Sequence, residues 1–270
     1  MINTYNESHL HKTLKLLIAK EHNCKTEIPL DNYICDAVTT YTSPNRDTFC
    51  DIYEIQTQNL GKLCIKIKNL LQHHNVRIVY PLQIKTYIET YSADGTRLSR
   101  RKSPKERNIY YIFDELTGIY PLLNKLKTKK NIKINNFELE VLEVITTQKR
   151  IKTDKPIQLA NKSRQWKKNW YKEDTILNEI VSRRIFCTPE DFFTLFPKEL
   201  PYKFTVKDLT TSICKENSIQ KQRQIQEIHR VVGKMVWTLK NAQILNMVEK
   251  RGNAFVYKKN APLLESVLQT

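Results

Sequence analysis

The order of apolar and polar positions divides the chain into readable elements. In NESHLHKTLKLLIAK (6–20), Leu10, Leu14, Leu17 and Ile18 recur at helical spacing, and Asn6 or Ser8 can cap the helix. TEIPLDNYICDAV reads as two extended pieces broken at Asp31-Asn32. The polar loop TTYTSPNRDT then leads to CDIYEIQT, a strand of alternating faces, so an antiparallel pair is expected. LGKLCIKIKNLLQHH gathers Leu60, Leu63, Cys64, Ile67, Leu70 and Leu71 on one stripe of an amphipathic helix. VRIVYPL is almost wholly apolar, as in a buried strand, and strand–helix–strand predicts a crossover with parallel outer strands.

TYIETYSADGTRLS predicts a hairpin at Asp94-Gly95, NIYYIFDELTGIYPLLNKL a helical stretch and FELEVLEVITT a further strand. Residues 1–147 are thus expected to form an α/β domain with a mixed central sheet. The pattern then changes. Residues 148–172 carry nine Lys or Arg against Asp154 and Glu173 beyond, with no sustained period, and read as a basic linker: an arm on phosphate or a solvated tether. Residues 173–270 read as a small helical domain. DTILNEIVSRRIF is its expected first helix, followed by TPEDFFTLF, capped at Thr188 with Pro189 in the first position, and TVKDLTTSIC, capped at Thr205. KQRQIQEIHRVVGKMVWTLKNA is a long helix with Ile225, Ile228, Val232, Met235, Val236 and Leu239 on its core face. ILNMVEKRGNAFVYKK predicts two strands meeting at Arg251-Gly252-Asn253. Helices followed by a hairpin are the order of a winged helix-turn-helix.

Charge sharpens the picture. A formal net charge of +17 and a pI near 9.5 point to a polyanionic partner, DNA first, because each phosphate neutralised releases counterions. Forty per cent apolar and 27% charged residues is globular composition. The six cysteines form no CxxC pair and read as reduced thiols. No apolar run approaches the roughly 18–20 residues that span a bilayer, and MINTYNESHLHK lacks a signal-peptide pattern, so a cytoplasmic protein with no membrane partner is expected. Nucleotide-cofactor chemistry lacks a motif: there is no P-loop and no GxGxxG among only five glycines.

The candidate chemistry lies in CDIYEIQT. Spacing of two puts Glu54 and Gln56 on one face of the strand, and Asp36 on the neighbouring strand can face them. Two carboxylates and an amide suit a hard divalent cation, Mg2+ or Mn2+, which lowers the pKa of a bound water. The plain alternative is three exposed strand polars. Asp51 is expected on the other side of the sheet or as a cap of the strand start. His9 and His11, two apart on a helix, make poor joint metal ligands. RLSRRKSPKER holds six Lys or Arg in eleven residues and reads as a phosphate-contact loop through Arg97, Arg100, Arg101, Lys102 and Lys105. Lys62 and Lys66 are expected to steer phosphate as well. Lys221, Gln222, Arg223 and Gln226 open the long helix as a recognition helix would, and Lys250, Arg251 and Asn253 sit at the hairpin tip.

Asp36 followed by Glu54-Ile55-Gln56, within the order α-β-β-β-α-β, resembles the PD-(D/E)XK nuclease superfamily. The resemblance implies a restriction-endonuclease-like sheet with Asp36 and Glu54 as metal ligands and Glu7 as the assisting helical acid; Gln56 stands where lysine is usual. Over nearly the whole chain, NESHLH, EIQT, VRIVYP, LSRRKSPK and KRGNA also resemble a group of uncharacterised bacterial proteins. The resulting expectation is a Mg2+-dependent DNA endonuclease with Asp36, Glu54, Gln56 and Glu7 as catalytic residues, acting alone, as a homodimer or with a partner protein of a defence or repair system. The rivals are a DNA-binding regulator or defence accessory without turnover, and a protein-interaction adaptor.

Overall fold

Helix α1 (His9–Glu21) starts where Ser8 accepts the His11 N–H, and it buries Leu10, Leu14 and Ile18 at the predicted spacing. The computed structural model describes residues 7–42, 48–126, 136–157 and 168–259. Asn6, the other proposed cap, the tip of the polar loop at 43–47 and residues 158–167 of the expected linker lie outside the described residues. Strands β1 (Lys25–Leu30), β2 (Tyr33–Thr42) and β3 (Thr48–Ile55) form an antiparallel meander. Asp31 and Asn32 turn the first corner with positive φ, which Asp and Asn tolerate better than most residues.

A 3-10 turn (Leu60–Leu63) and helix α2 (Cys64–Leu70) replace the single longer helix predicted there. They carry the chain over to β4 (Asn75–Tyr91), which runs parallel to β3 as the crossover required. Past the Gly95 turn, β5 (Arg97–Lys102) pairs back on β4. The helical stretch expected next is a 3-10 turn at Ile109–Ile112 followed by two single-turn helices, α3 (Phe113–Leu116) and α4 (Tyr120–Leu123). Gly118 and Gly61 let these turns meet backbone to backbone: a Cβ on Gly118 would stand 3.0 Å from Gly61 Cα.

Strands β6 (Phe137–Ile157) and β7 (Lys168–Phe186) complete a seven-stranded mixed sheet of order β1-β2-β3-β4-β6-β7, with β5 on β4. β4 therefore has an uneven edge. β3 covers it as far as Val79, β5 takes it up again at Tyr87, and Pro81, which lacks an N–H, falls in the stretch between.

Two expectations fail here. DTILNEIVSRRIF is not a helix but the second half of β7, and the described parts of the basic linker, 148–157 and 168–172, belong to β6 and β7. The physical reason is the same for both. Thr175, Ile176, Ile180, Val181 and Ile185 are β-branched and fit a pleated surface, while the Lys and Arg of a solvated sheet extension follow no apolar period.

A 3-10 turn (Pro189–Leu195), entered through a Thr188–Asp191 capping box, leads to α5 (Val206–Glu216), capped in the same way by Thr205 and Asp208. Helix α6 (Gln222–Asn241) and the hairpin β8 (Leu245–Arg251)–β9 (Ala254–Lys259) follow, with Gly252 at the tip. The sheet separates two apolar masses. α1 packs on one face with Ala37, Tyr53, Ile55 and Val79. The other face carries α2, α3 and α4 and runs without a break into α5 and α6, through Phe113, Phe186, Phe192, Phe204 and Met235. No helix among the described residues is long and apolar enough to cross a membrane.

Candidate functional site

The register of β2 and β3 pairs Ala37 with Tyr53, and Asp36 and Glu54 come next in line at the end of the ladder. Alternation along β3 points Cys50, Ile52 and Glu54 toward α2, and Tyr53 and Ile55 toward α1. β2 breaks its alternation at Asp36. Cys35 is buried on the α2 side, yet Ala37, two residues on, is buried on the α1 side. Glu27, across from this irregularity on β1, has a φ of 55°. The Asp36 carboxylate consequently turns to the end of β3, where Oδ2 accepts the Ile55 N–H at 2.9 Å.

Each carboxylate meets a cation from a different helix. On the α2 side, Lys66 Nζ donates to Glu54 Oε2 at 2.6 Å and to the Ile34 carbonyl at 2.7 Å. Glu54 is 3% exposed, and its second oxygen, Oε1, is buried with no hydrogen-bond partner. Burial pushes the Glu54 carboxyl up to about 7 against the pull of the Lys66 ammonium, and the Asp36 charge adds to the rise. Burial and the Glu54 charge likewise push the neighbouring Cys35 thiol up to about 12, so that thiol stays protonated.

On the α1 side, His11 Nε2 lies 2.8 Å from the Ile55 carbonyl and 3.4 Å from Asp36 Oδ2, while Nδ1 lies 2.5 Å from Glu7 Oε1. Burial works to lower the His11 pKa, but the Asp36 and Glu7 carboxylates outweigh it and push it up to about 9. Burial in turn works to raise the Asp36 carboxyl, yet His11 and the Ile55 N–H hold it below its ordinary value. Lys15 Nζ closes the chain of charges, 2.7 Å from Glu7 and paired also with Glu27.

The predicted residues therefore divide. Asp36 and Glu54 lie at one strand end and feel each other's charge, and Glu7, just outside the helix that was expected to contain it, reaches Asp36 through His11. The Gln56 amide donates to the Gln58 carbonyl. Asp51 has the parity opposite to Glu54, as expected, and accepts from Asn75 Nδ2 at 2.7 Å. Among the described residues, no three His, Cys, Asp or Glu side chains are grouped so as to hold a metal ion by themselves.

Two participants escape the sequence pattern. The spacing of His9 and His11 argues against a joint metal site, but it hides a different set: His11 and Lys15 share one face of α1, and Glu7, just ahead of the helix and four residues before His11, meets both. Lys66, expected on phosphate, is bound to Glu54 instead. Lys62 does stand exposed on the turn before α2. A second buried acid, Glu140 on β6, lies between Arg77 at 3.3 Å and Arg183 at 3.0 Å, which makes it a neutralised part of the sheet.

The segment expected as a phosphate loop is mostly strand. Arg97, Arg100, Arg101 and Lys102 are exposed along β5, and Lys105 follows it. Glu89 draws Arg97 (3.7 Å) and Arg100 (3.4 Å), and Lys102 pairs with Glu106. Cations and rings alternate over the sheet extension: Arg100 lies 4.9 Å from the Tyr87 ring centre, Lys149 5.0 Å from Tyr91 and Arg150 3.7 Å from Trp170. Lys221, Gln222, Arg223 and Gln226 are exposed at the start of α6, and Lys250, Arg251 and Asn253 at the β8–β9 tip, where Arg251 pairs with Glu249 at 2.9 Å.

Residues 8–187 match the family described as a domain of unknown function, DUF8091. The chain belongs to that family. The DUF8091 span begins at the cap of α1 and ends one residue past β7, so it contains the whole seven-stranded sheet and the Asp36–Glu54 site, and leaves out α5, α6 and the last hairpin. An uncharacterised protein of Treponema pallidum (strain Nichols) is 37% identical over 123 residues, 46% of this chain and 45% of that protein. The chain thus spans less than half the length of this curated relative. No solved structure matches.

Proposed function

We propose that the chain is a divalent-metal-dependent nuclease acting on DNA. In this reading its sheet is of the restriction-endonuclease-like kind, and its last helices and hairpin form a winged-type unit that holds the target. One observation carries the reading: the ammonium group that Gln56 cannot supply comes from Lys66, 2.6 Å from Glu54 and beside Asp36. The order α1-β1-β2-β3-α2-β4, with the carboxylates at the carboxyl end of the parallel pair β3–β4, agrees with it.

The donors present fit a hard cation. Mg2+ is satisfied by one or two carboxylates and keeps several waters, so it does not need three protein ligands. Asp36 and Glu54 are the pair, and Lys66 takes Glu54 Oε2, which leaves Oε1 as the oxygen able to ligate. Such an ion supplies a bound water of lowered pKa and neutralises charge on the scissile phosphate. Lys66 favours the ionised form of Glu54, which is the form able to ligate, and carries positive charge to the same strand end. Glu7 orients the His11 imidazole against Asp36. Gln56, released from Gln58, has an amide with which to hold a water or a phosphate oxygen.

The test is incubation of the full chain with labelled duplex, single-stranded and branched DNA, with Mg2+ or Mn2+ and with chelator. Metal-dependent cleavage that Glu54→Gln abolishes supports the reading; intact DNA in every condition ends it.

A second reading, DNA binding without turnover, is favoured by a specific observation. A protonated His11 already neutralises Asp36, so the pocket is balanced by the chain's own cations. Binding without cleavage, unchanged by Glu54→Gln, is its signature.

A further inference from the structure

The uneven edge of β4 opens into a cleft of 340 Å³ past the carboxyl end of β3, alongside the middle of β4 at Tyr80, Pro81, Gln83 and Thr86. Crevices beyond the carboxyl ends of parallel strands are where open α/β sheets take ligands. This one is polar. Its wall carries three primary amides, Gln58 from the loop after β3, Gln83 from β4 and Gln148 from β6, and one carboxylate, Glu115, which accepts the Leu60 N–H at 3.0 Å; its rim carries Lys105 and Arg107. Gln83 Oε1 accepts from the Thr146 hydroxyl at 3.1 Å and Gln148 Oε1 from Arg150 at 3.1 Å, which fixes both amides with their NH2 groups left to donate.

The rim cations differ from those on β5. Neither Lys105 nor Arg107 makes an ion pair among the described residues, and Arg107 rests against the Tyr111 ring, 6.0 Å from its centre. Both also line a second cleft, of 460 Å³, whose far wall is the start of α6 with Arg223. Two cations thus stand on the ridge between two grooves, one leading back to the Glu54 end of β3 and the other out to α6.

We propose that the first cleft takes a single unpaired nucleotide: its phosphate on Lys105 and Arg107, its base edge on the amides of Gln58, Gln83 and Gln148. A base offers donors and acceptors side by side, which primary amides match and which neither aliphatic nor purely anionic ligands require. The DNA handled at Asp36 and Glu54 is therefore single-stranded where it passes β4, with the strand continuing over the ridge toward Arg223. This inference rests on the nucleic-acid reading above and adds the substrate class to it.

Fluorescence anisotropy in chelator, with the full chain and a labelled single strand, a blunt duplex and the same duplex with an overhang, tests it. The single strand and the overhang are expected to bind about tenfold tighter than the blunt duplex, and Lys105→Gln/Arg107→Gln to remove that preference by weakening the single strand and the overhang more than the duplex. The double variant is also expected to flatten the salt dependence for the single strand by about 0.7 for each phosphate it no longer neutralises. Both side chains are exposed, so the fold survives the change. Equal affinity for all three DNAs, or a preference that outlasts the double variant, overturns the single-strand cleft while leaving DNA binding standing. No binding to any of them at low salt overturns the nucleic-acid reading itself.

Discussion

Lys66 crosses from α2 to Glu54 at 2.6 Å, and it is the one ion-pair partner of that buried carboxylate among the described residues. Removing one member of a buried pair leaves the other uncompensated. Lys66→Ala is therefore expected to cost roughly 3 kcal/mol near pH 8, where Glu54 is ionised. Near pH 5 the Glu54 carboxyl takes up a proton and the loss shrinks to that of a hydrogen bond, about 1 kcal/mol. Urea unfolding at the two pH values measures the difference.

His11 and Glu54 give stability a common slope with pH. The folded His11 pKa, about 9, lies above its ordinary value, so its contribution is full below about pH 6.5 and is lost as pH rises through 9. The folded Glu54 carboxyl, at about 7, also binds its proton more tightly than the unfolded chain does, and its contribution fades from about pH 4.5 to 7. These groups make the melting temperature fall between about pH 5 and 9. Glu54→Gln is expected to flatten the lower part of that fall and His11→Gln the upper part, as read by thermal melts across the range.

The two readings of the pocket separate on metal affinity. If Asp36 and Glu54 form a cation site, His11→Gln removes a competing positive charge, and Mn2+ binds roughly tenfold tighter, equivalent to about 1.4 kcal/mol. Asp36→Asn in the same background is expected to abolish the heat of binding in titration calorimetry. No Mn2+ binding to either protein would count for the non-hydrolytic reading.

Gly118→Ala tests the close approach of the turns before α2 and after α3. The added methyl meets Gly61 backbone atoms at 3.0 and 3.1 Å, with no flexible side chain to yield. A loss of roughly 1–3 kcal/mol is expected, with Gly233→Ala, which meets nothing within 4 Å, as the tolerated control. Chemical denaturation of both variants checks it.

Local pattern makes much of the first half legible. α1, the β1–β2–β3 meander, the parallel crossover and the Asp94-Gly95 hairpin stand where period, turn chemistry and chain length put them. What depends on distant partners is hidden. β7 reads as a helix in part because Ile176, Leu177 and Ile180 fit a helical face as well as a strand, and only pairing with β6 decides. The site is half legible. Strand alternation places Glu54, but the break at Asp36, which turns its carboxylate to the Ile55 N–H, leaves no mark in residue type. His11 and Lys66 reach the pocket by packing α1 and α2 on opposite faces of the sheet, a consequence of topology rather than of any motif.

The unbroken apolar mass under α5 and α6 bears on how the molecule can be cut. A fragment truncated at Cys187 would keep every strand of the large sheet yet lay bare Phe113 and Phe186, now sealed by Phe192, Phe204 and Met235. Such a fragment is expected to aggregate. The last helices thus serve as a lid of the hydrophobic interior, and whatever grips their outer surface also pulls on the floor of the sheet.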